Sequence, residues 1–99
     1  MNIDIEYYQE PIIEHYGVQH QLGIYMEECA ELIQAISKFN RAYDKPVDES
    51  LRKHIIEEIA DVCVCIDQLQ FILYIKDSEI EKVANDKVAR QLRRIKYEE

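Results

Sequence analysis

The sequence predicts an all-α protein: a helical bundle of three long helices plus a short N-terminal helix. Three observations predict it. Only two Gly and two Pro in 99 residues leave few turn signals. Apolar residues make up 47% of the chain and recur at steps of three and four over most of it. A capping signature opens the last quarter. The length suits one domain, residues 1–99, with 1–17 as a lid segment and 18–97 as the helical core. A single core of this size is adequate but modest, so assembly as an oligomer of bundles would strengthen it.

Residues 2–17 are weakly patterned. Pro11 is placed to begin a short helix that runs to Tyr16, and Gly17 to stop it. Tyr7, Tyr8, Ile12, Ile13 and Tyr16 would hold this segment on the bundle. From Gln19 to Ala42 the residues Leu22, Met26, Cys29, Ile33 and Ile36 recur at helical spacing, with Tyr25, Leu32 and Phe39 beside them, which predicts a core helix. Asp44 to Ser50 contains Pro46 and polar residues and reads as a loop. The helix expected over residues 49–76 presents Ile55, Ile59, Val62, Ile66, Leu69 and Leu73. From Val62 to Ile75 it is apolar around much of its girth, which calls for burial on several sides and more cover than three helices provide. Ser78 and Glu81 form a capping box that opens a last helix to Tyr97, with Ile80, Ala84, Val88, Gln91 and Ile95 on its core side.

Charge and cysteine usage exclude several classes. A net charge of −8 argues against a binder of nucleic acid polymers, although a bound metal would still admit a small phosphorylated ligand. The charge is segregated: residues 78–97 carry six Lys or Arg against three acids, while the remainder sums to −11. Cys29, Cys63 and Cys65 fit neither a thiolate zinc site nor a disulfide framework and read as buried small hydrophobes. The first ten residues carry acids and no apolar run, and no stretch approaches the roughly 18 apolar residues of a membrane span. No membrane partner is expected, and a reducing cytoplasm is the default location.

Two acidic runs, Glu27-Glu28-Cys29-Ala30-Glu31 and Glu57-Glu58-Ile59-Ala60-Asp61, carry the chemistry. Glu28 with Glu31, and Glu58 with Asp61, each share one helical face. Each pair lies in a stripe at steps of four, three and four: Ile24, Glu28, Glu31, Ala35 and His54, Glu58, Asp61, Cys65. Such a stripe faces other protein, and charged residues are rarely buried there unless paired. Either acid pair alone is also compatible with a solvated helix face. Both together, in seams, suggest four converging carboxylates, each like-charge pair costing about 3 kcal/mol at about 5 Å and an effective dielectric near 20. A divalent cation relieves this, and hard oxygen ligands suit Mg²⁺ or Mn²⁺. Lys38 follows Glu31 by two turns, and Lys87 and Arg90 lie on an edge of the last helix; each is placed to reach a phosphate oxygen or to pair with an ordinary acid.

These runs, with the tracts YGVQHQLGIYMEECAELIQAISKFNRA, EEIADVCVCIDQL and KVARQLRRI, resemble the EExxE and ExxD signature of the MazG-like all-α nucleoside triphosphate pyrophosphohydrolases, in their small single-domain form. The resemblance spans about Tyr16 to Ile95. It implies Mg²⁺-dependent hydrolysis of an NTP or dNTP to the monophosphate and pyrophosphate. It also implies a homodimer or homotetramer and, by position, Glu28, Glu31, Glu58 and Asp61 as metal ligands. Glu27 would orient or deprotonate the attacking water, or support from outside the ligand shell. Base contacts would come from Gln19, His20, Gln21 and Tyr25, or from a neighbouring subunit. The alternative is a non-catalytic acidic helical adaptor or oligomerisation module. An oxidase-type bundle is disfavoured because no Glu-x-x-His pair is present.

Overall fold

The computed structural model describes residues 2–98; Met1 of the lid segment and Glu99 lie outside the described residues. The described chain is all-helical, with no strand: α1 (Gln9–Tyr16), α2 (Val18–Arg41), α3 (Glu49–Leu73) and α4 (Asp77–Glu98). Helices α2 and α3 form a hairpin, and α1 packs against both. Among the described residues no helix is long and apolar enough to cross a membrane.

Helix α1 begins two residues earlier than Pro11 predicts, because proline is tolerated anywhere in a first turn, where the missing N–H has no helical partner. Its start is fixed from outside: the Tyr8 hydroxyl and Gln9 Nε2 both donate to Asp67 Oδ2 on α3, the latter at 2.8 Å. Gly17 has φ +88°, a conformation that L side chains rarely adopt. Its N–H closes α1 on the Ile13 carbonyl at 2.8 Å and its carbonyl accepts from Gln21 N at 3.1 Å, so one residue joins two helices. Asp48 caps α3 by accepting from Ser50 N at 2.7 Å.

Helix α3 stops at Leu73, three residues before the end its apolar pattern predicts. Tyr74 adopts a left-handed conformation (φ 56°, ψ 37°). Ile75 N donates to the Gln70 carbonyl at 2.9 Å and Tyr74 N to the Phe71 carbonyl at 3.4 Å, the bonding pattern of a Schellman stop. Glycine is the usual residue at such a stop, and a tyrosine carries no signal for it. The capping box also shifts: α4 starts at Asp77, and the side chain that reaches back is Glu79, accepting from Lys76 N at 2.8 Å, not Glu81 to Ser78.

The turn at Tyr74 carries α4 away from the hairpin, which it touches only near its start, where Gln70 Nε2 of α3 donates to Asp77 Oδ1 at 2.9 Å. The expected core side of the last helix, Ile80, Ala84, Val88, Gln91 and Ile95, is therefore exposed. The same correction applies to α2, where Leu22, Met26, Cys29, Ile33 and Ile36 face outward while Gln21, Tyr25 and Ala35 are buried. On α3, Val64, Ile66, Phe71 and Leu73 are exposed, so the expected burial on several sides is met on one side. Of the cysteines, Cys65 is buried, Cys63 half-buried and Cys29 exposed. The hairpin chooses the narrow polar seam because the two stripes at steps of four, three and four match one another when run antiparallel. The wider apolar faces remain open. A radius of gyration of 16.9 Å, against about 13 Å for a compact domain of this length, measures the result.

Candidate metal centre

The seam brings the two acid pairs together. One carboxylate oxygen from each of Glu28, Glu31, Glu58 and Asp61 lies within 4.8 Å of the other three. Glu58 is buried, Glu28 half-buried, and Glu31 and Asp61 form the open side. Ala35, fully buried, lets the helices approach above the cluster, and Cys65 closes it below. His54, the first residue of its stripe, stands beside Glu58 with Nδ1 3.9 Å from Oε1.

The electrostatics are those of crowded like charges. Glu28 Oε2 and Glu58 Oε2 are buried without any hydrogen-bond partner. Burial, followed by the neighbouring Glu31 and Asp61 carboxylates, pushes Glu28 up to about 7 from an ordinary 4.5. Glu58 is raised by burial and then by Glu31, with His54 opposing the shift. The Cys65 thiol is pushed up to about 11, first by burial and then by Glu28. Unpartnered buried carboxylate oxygens among all-oxygen donors fit a hard divalent cation.

The remaining expected site residues lie apart. Glu27 is exposed and outside the cluster. Lys38 is exposed near the end of α2, and Lys87 and Arg90 are exposed on α4, so within one chain none of the three joins the carboxylates. Among the described residues the ion pairs are His54 with Glu58 and Lys82 with Asp86.

The base-side residues divide. Gln19 and His20 are exposed, and His20 stacks on Tyr16 with ring centroids 5.4 Å apart. Gln21 and Tyr25 are buried in the seam, where both donate to Gln68 Oε1, at 3.2 and 2.7 Å. Sequence reasoning missed Gln68, although it extends the Glu58, Asp61, Cys65 stripe by one further step of three. It also missed Asp67, whose partners Tyr8 and Gln9 lie in the opening segment. Burial, then the bond to Asp67, raises the Tyr8 hydroxyl's pKa.

No protein-family model, no curated protein and no solved structure matches this chain.

Proposed function

We propose that the protein is a Mg²⁺-dependent nucleoside triphosphate pyrophosphohydrolase, with Mn²⁺ able to substitute, that cleaves an NTP or dNTP to the monophosphate and pyrophosphate. The observation that carries this reading is the pair of buried, unpartnered oxygens, Glu28 Oε2 and Glu58 Oε2, inside a four-carboxylate set. The MazG-like spacing of the acids supplies the reaction class. Glu28, Glu31, Glu58 and Asp61 would hold the cation, whose chemistry there is to neutralise polyphosphate charge and acidify bound water. The chain's own contribution is positioning: two packed helices hold the ligands, and α1 closes the hairpin beyond the Gln21 and Gln68 end. Glu27, exposed and outside the four-carboxylate set, would orient or deprotonate the attacking water or support the ligands from outside their shell.

Phosphate contacts from Lys87 and Arg90 would come from the α4 of a second copy. A homodimer or homotetramer is supported by the surface: 8465 Å² is accessible, against about 5,900 Å² for a compact monomer of this mass. That surplus, roughly 2,500 Å², exceeds the roughly 1,600 Å² buried in a standard interface.

The test is incubation of folded protein with a panel of NTPs and dNTPs plus Mg²⁺. Pyrophosphate release is expected; no release from any nucleotide would defeat the proposal. The exposed apolar faces of α2 and α4 favour, as a second reading, the non-catalytic helical adaptor. In that case Mg²⁺ or Mn²⁺ leaves the melting temperature unchanged, whereas cation binding to the folded state raises it.

A further inference from the structure

Helix α4 lacks a cover along its apolar side, and α2 lacks one along its outward side. On α2, Leu22, Met26, Cys29, Ile33 and Ile36 follow one another at steps of four, three, four and three, the spacing of a seam between helices. All five are exposed, Met26 by 70%. On α4, Ile80, Ala84, Val88, Leu92 and Ile95 are exposed in the same way, Leu92 by 63%. At 1.5 Å per residue the two stripes run about 21 Å and about 22 Å, so one matches the length of the other. Gly23, Ala30 and Ser37, seven residues apart, flank the α2 stripe. Nothing lies within 4 Å of the point where Gly23 would carry a Cβ, which leaves room for a helix to come close.

The chain's own α4 is held off that stripe. Left-handed Tyr74 turns it outward, Ile75 N is tied to the Gln70 carbonyl at 2.9 Å, and the Gln70 and Glu79 side chains fix Asp77 and Lys76. A second copy is the occupant that the charges select. Residues 78–97 carry six Lys or Arg against three acids, while the rest of the chain sums to −11. Laid on another α4, the helix sets base against base; laid on a hairpin, it sets base against acid. Lys87, Arg90 and Arg94 lie roughly a quarter-turn round α4 from its apolar stripe, at the rim of such a contact, where charge chooses the partner. Each chain also has roughly 2,500 Å² more accessible surface than a compact chain of its mass, about three times the roughly 800 Å² that one partner buries in a standard interface. We propose that two copies exchange their last helices, the α4 of each lying along the α2 stripe of the other, which closes a twofold pair. The inference rests on the association of copies in the reading above and adds to it the face and the segment that meet.

Cys29 stands midway along the α2 stripe and Val88 midway along that of α4, so the two meet whichever way α4 runs. Val88→Cys oxidised with diamide should therefore give a product of twice the chain mass, joined from Cys29 of one copy to position 88 of the other. Peptide mass spectrometry locates the bond, and adding Cys29→Ser should abolish it. In sedimentation equilibrium Met26→Arg and Leu92→Arg should each weaken association by about tenfold or more. Both positions are exposed, so the hairpin should keep its protection against amide exchange in either variant. A bond within one chain, between the two positions 88 or, without the substitution, between the two Cys29 thiols overturns the exchange and leaves association standing. A dimer that forms no bond, or that neither arginine weakens, has the same meaning. A chain that sediments as a monomer at every concentration overturns both, and pyrophosphate release is then judged by its own assay.

Discussion

Two adjacent layers of one helical seam solve the problem of buried polarity in opposite ways. In the layer of Gln21, Tyr25 and Gln68, neutral groups satisfy one another, with donors at 2.7 and 3.2 Å from a shared oxygen. In the layer of Glu28, Glu31, Glu58 and Asp61, about two helical turns along, every group is a carboxyl and two buried oxygens have no hydrogen-bond partner. The same backbone geometry supports both, so the difference lies in side-chain chemistry alone. A satisfied polar layer fixes the register of the hairpin, whereas an unsatisfied one stores repulsion that a ligand can release.

The largest expected effect comes from breaking the acidic layer. Glu58→Gln should lower Mg²⁺-dependent pyrophosphate release by more than about 100-fold, since even outer-shell changes cost 10–100-fold. The same substitution should raise the melting temperature in chelator, because one repelling charge is gone, and should diminish the rise caused by Mn²⁺. A variant destabilised in chelator would refute stored repulsion.

Proton competition is the next lever. With Glu28 raised from 4.5 to about 7, the folded state binds more protons than the unfolded state between those values. Stability from this group is therefore greatest at low pH and is lost as pH rises through about 7. Melting in chelator should fall from pH 5.5 to pH 8, and saturating Mn²⁺ should remove or reverse the decline. A chelator profile that rises over this interval would contradict the assignment.

The satisfied layer should respond differently. Tyr25→Phe removes one of two donors to Gln68 and should cost about 1 kcal/mol in denaturant unfolding, with the Mn²⁺ shift unaltered. Loss of the cation effect in this variant would show that the two layers are one coupled unit. The smallest effect, outside both layers, belongs to Tyr74→Gly, which should stabilise by about 0.5–1 kcal/mol by relieving the left-handed strain.

Helical class, the bounds of α2 and the meeting of the four carboxylates were legible because each depends on spacing along a single helix or on matched spacing between two. What faces inward was not legible. Leu22, Met26, Ile33 and Ile36 form a better apolar stripe than Gln21, Tyr25, Glu28 and Ala35, and a rule that buries the most apolar face selects the wrong one for a single chain. The direction of α4 depends on one dihedral at Tyr74, a residue type that carries no left-handed preference. Gln68 escaped notice because a lone glutamine in an apolar run looks like an interruption until Tyr25 and Gln21 are seen donating to it.

The open setting of α4 has a consequence for how the chain behaves in dilute solution. A helix of 22 residues tied to its neighbour only near its start relies on its own backbone bonds, which hold only marginally in water. Amide protons of α4 should exchange far faster than those of the α2 and α3 seam when copies are scarce, and trypsin should nick first at Lys87 and Arg90. Raising the protein concentration should slow both processes together if copies cover one another's tails. The order of the last quarter of the molecule would then report how many neighbours it has.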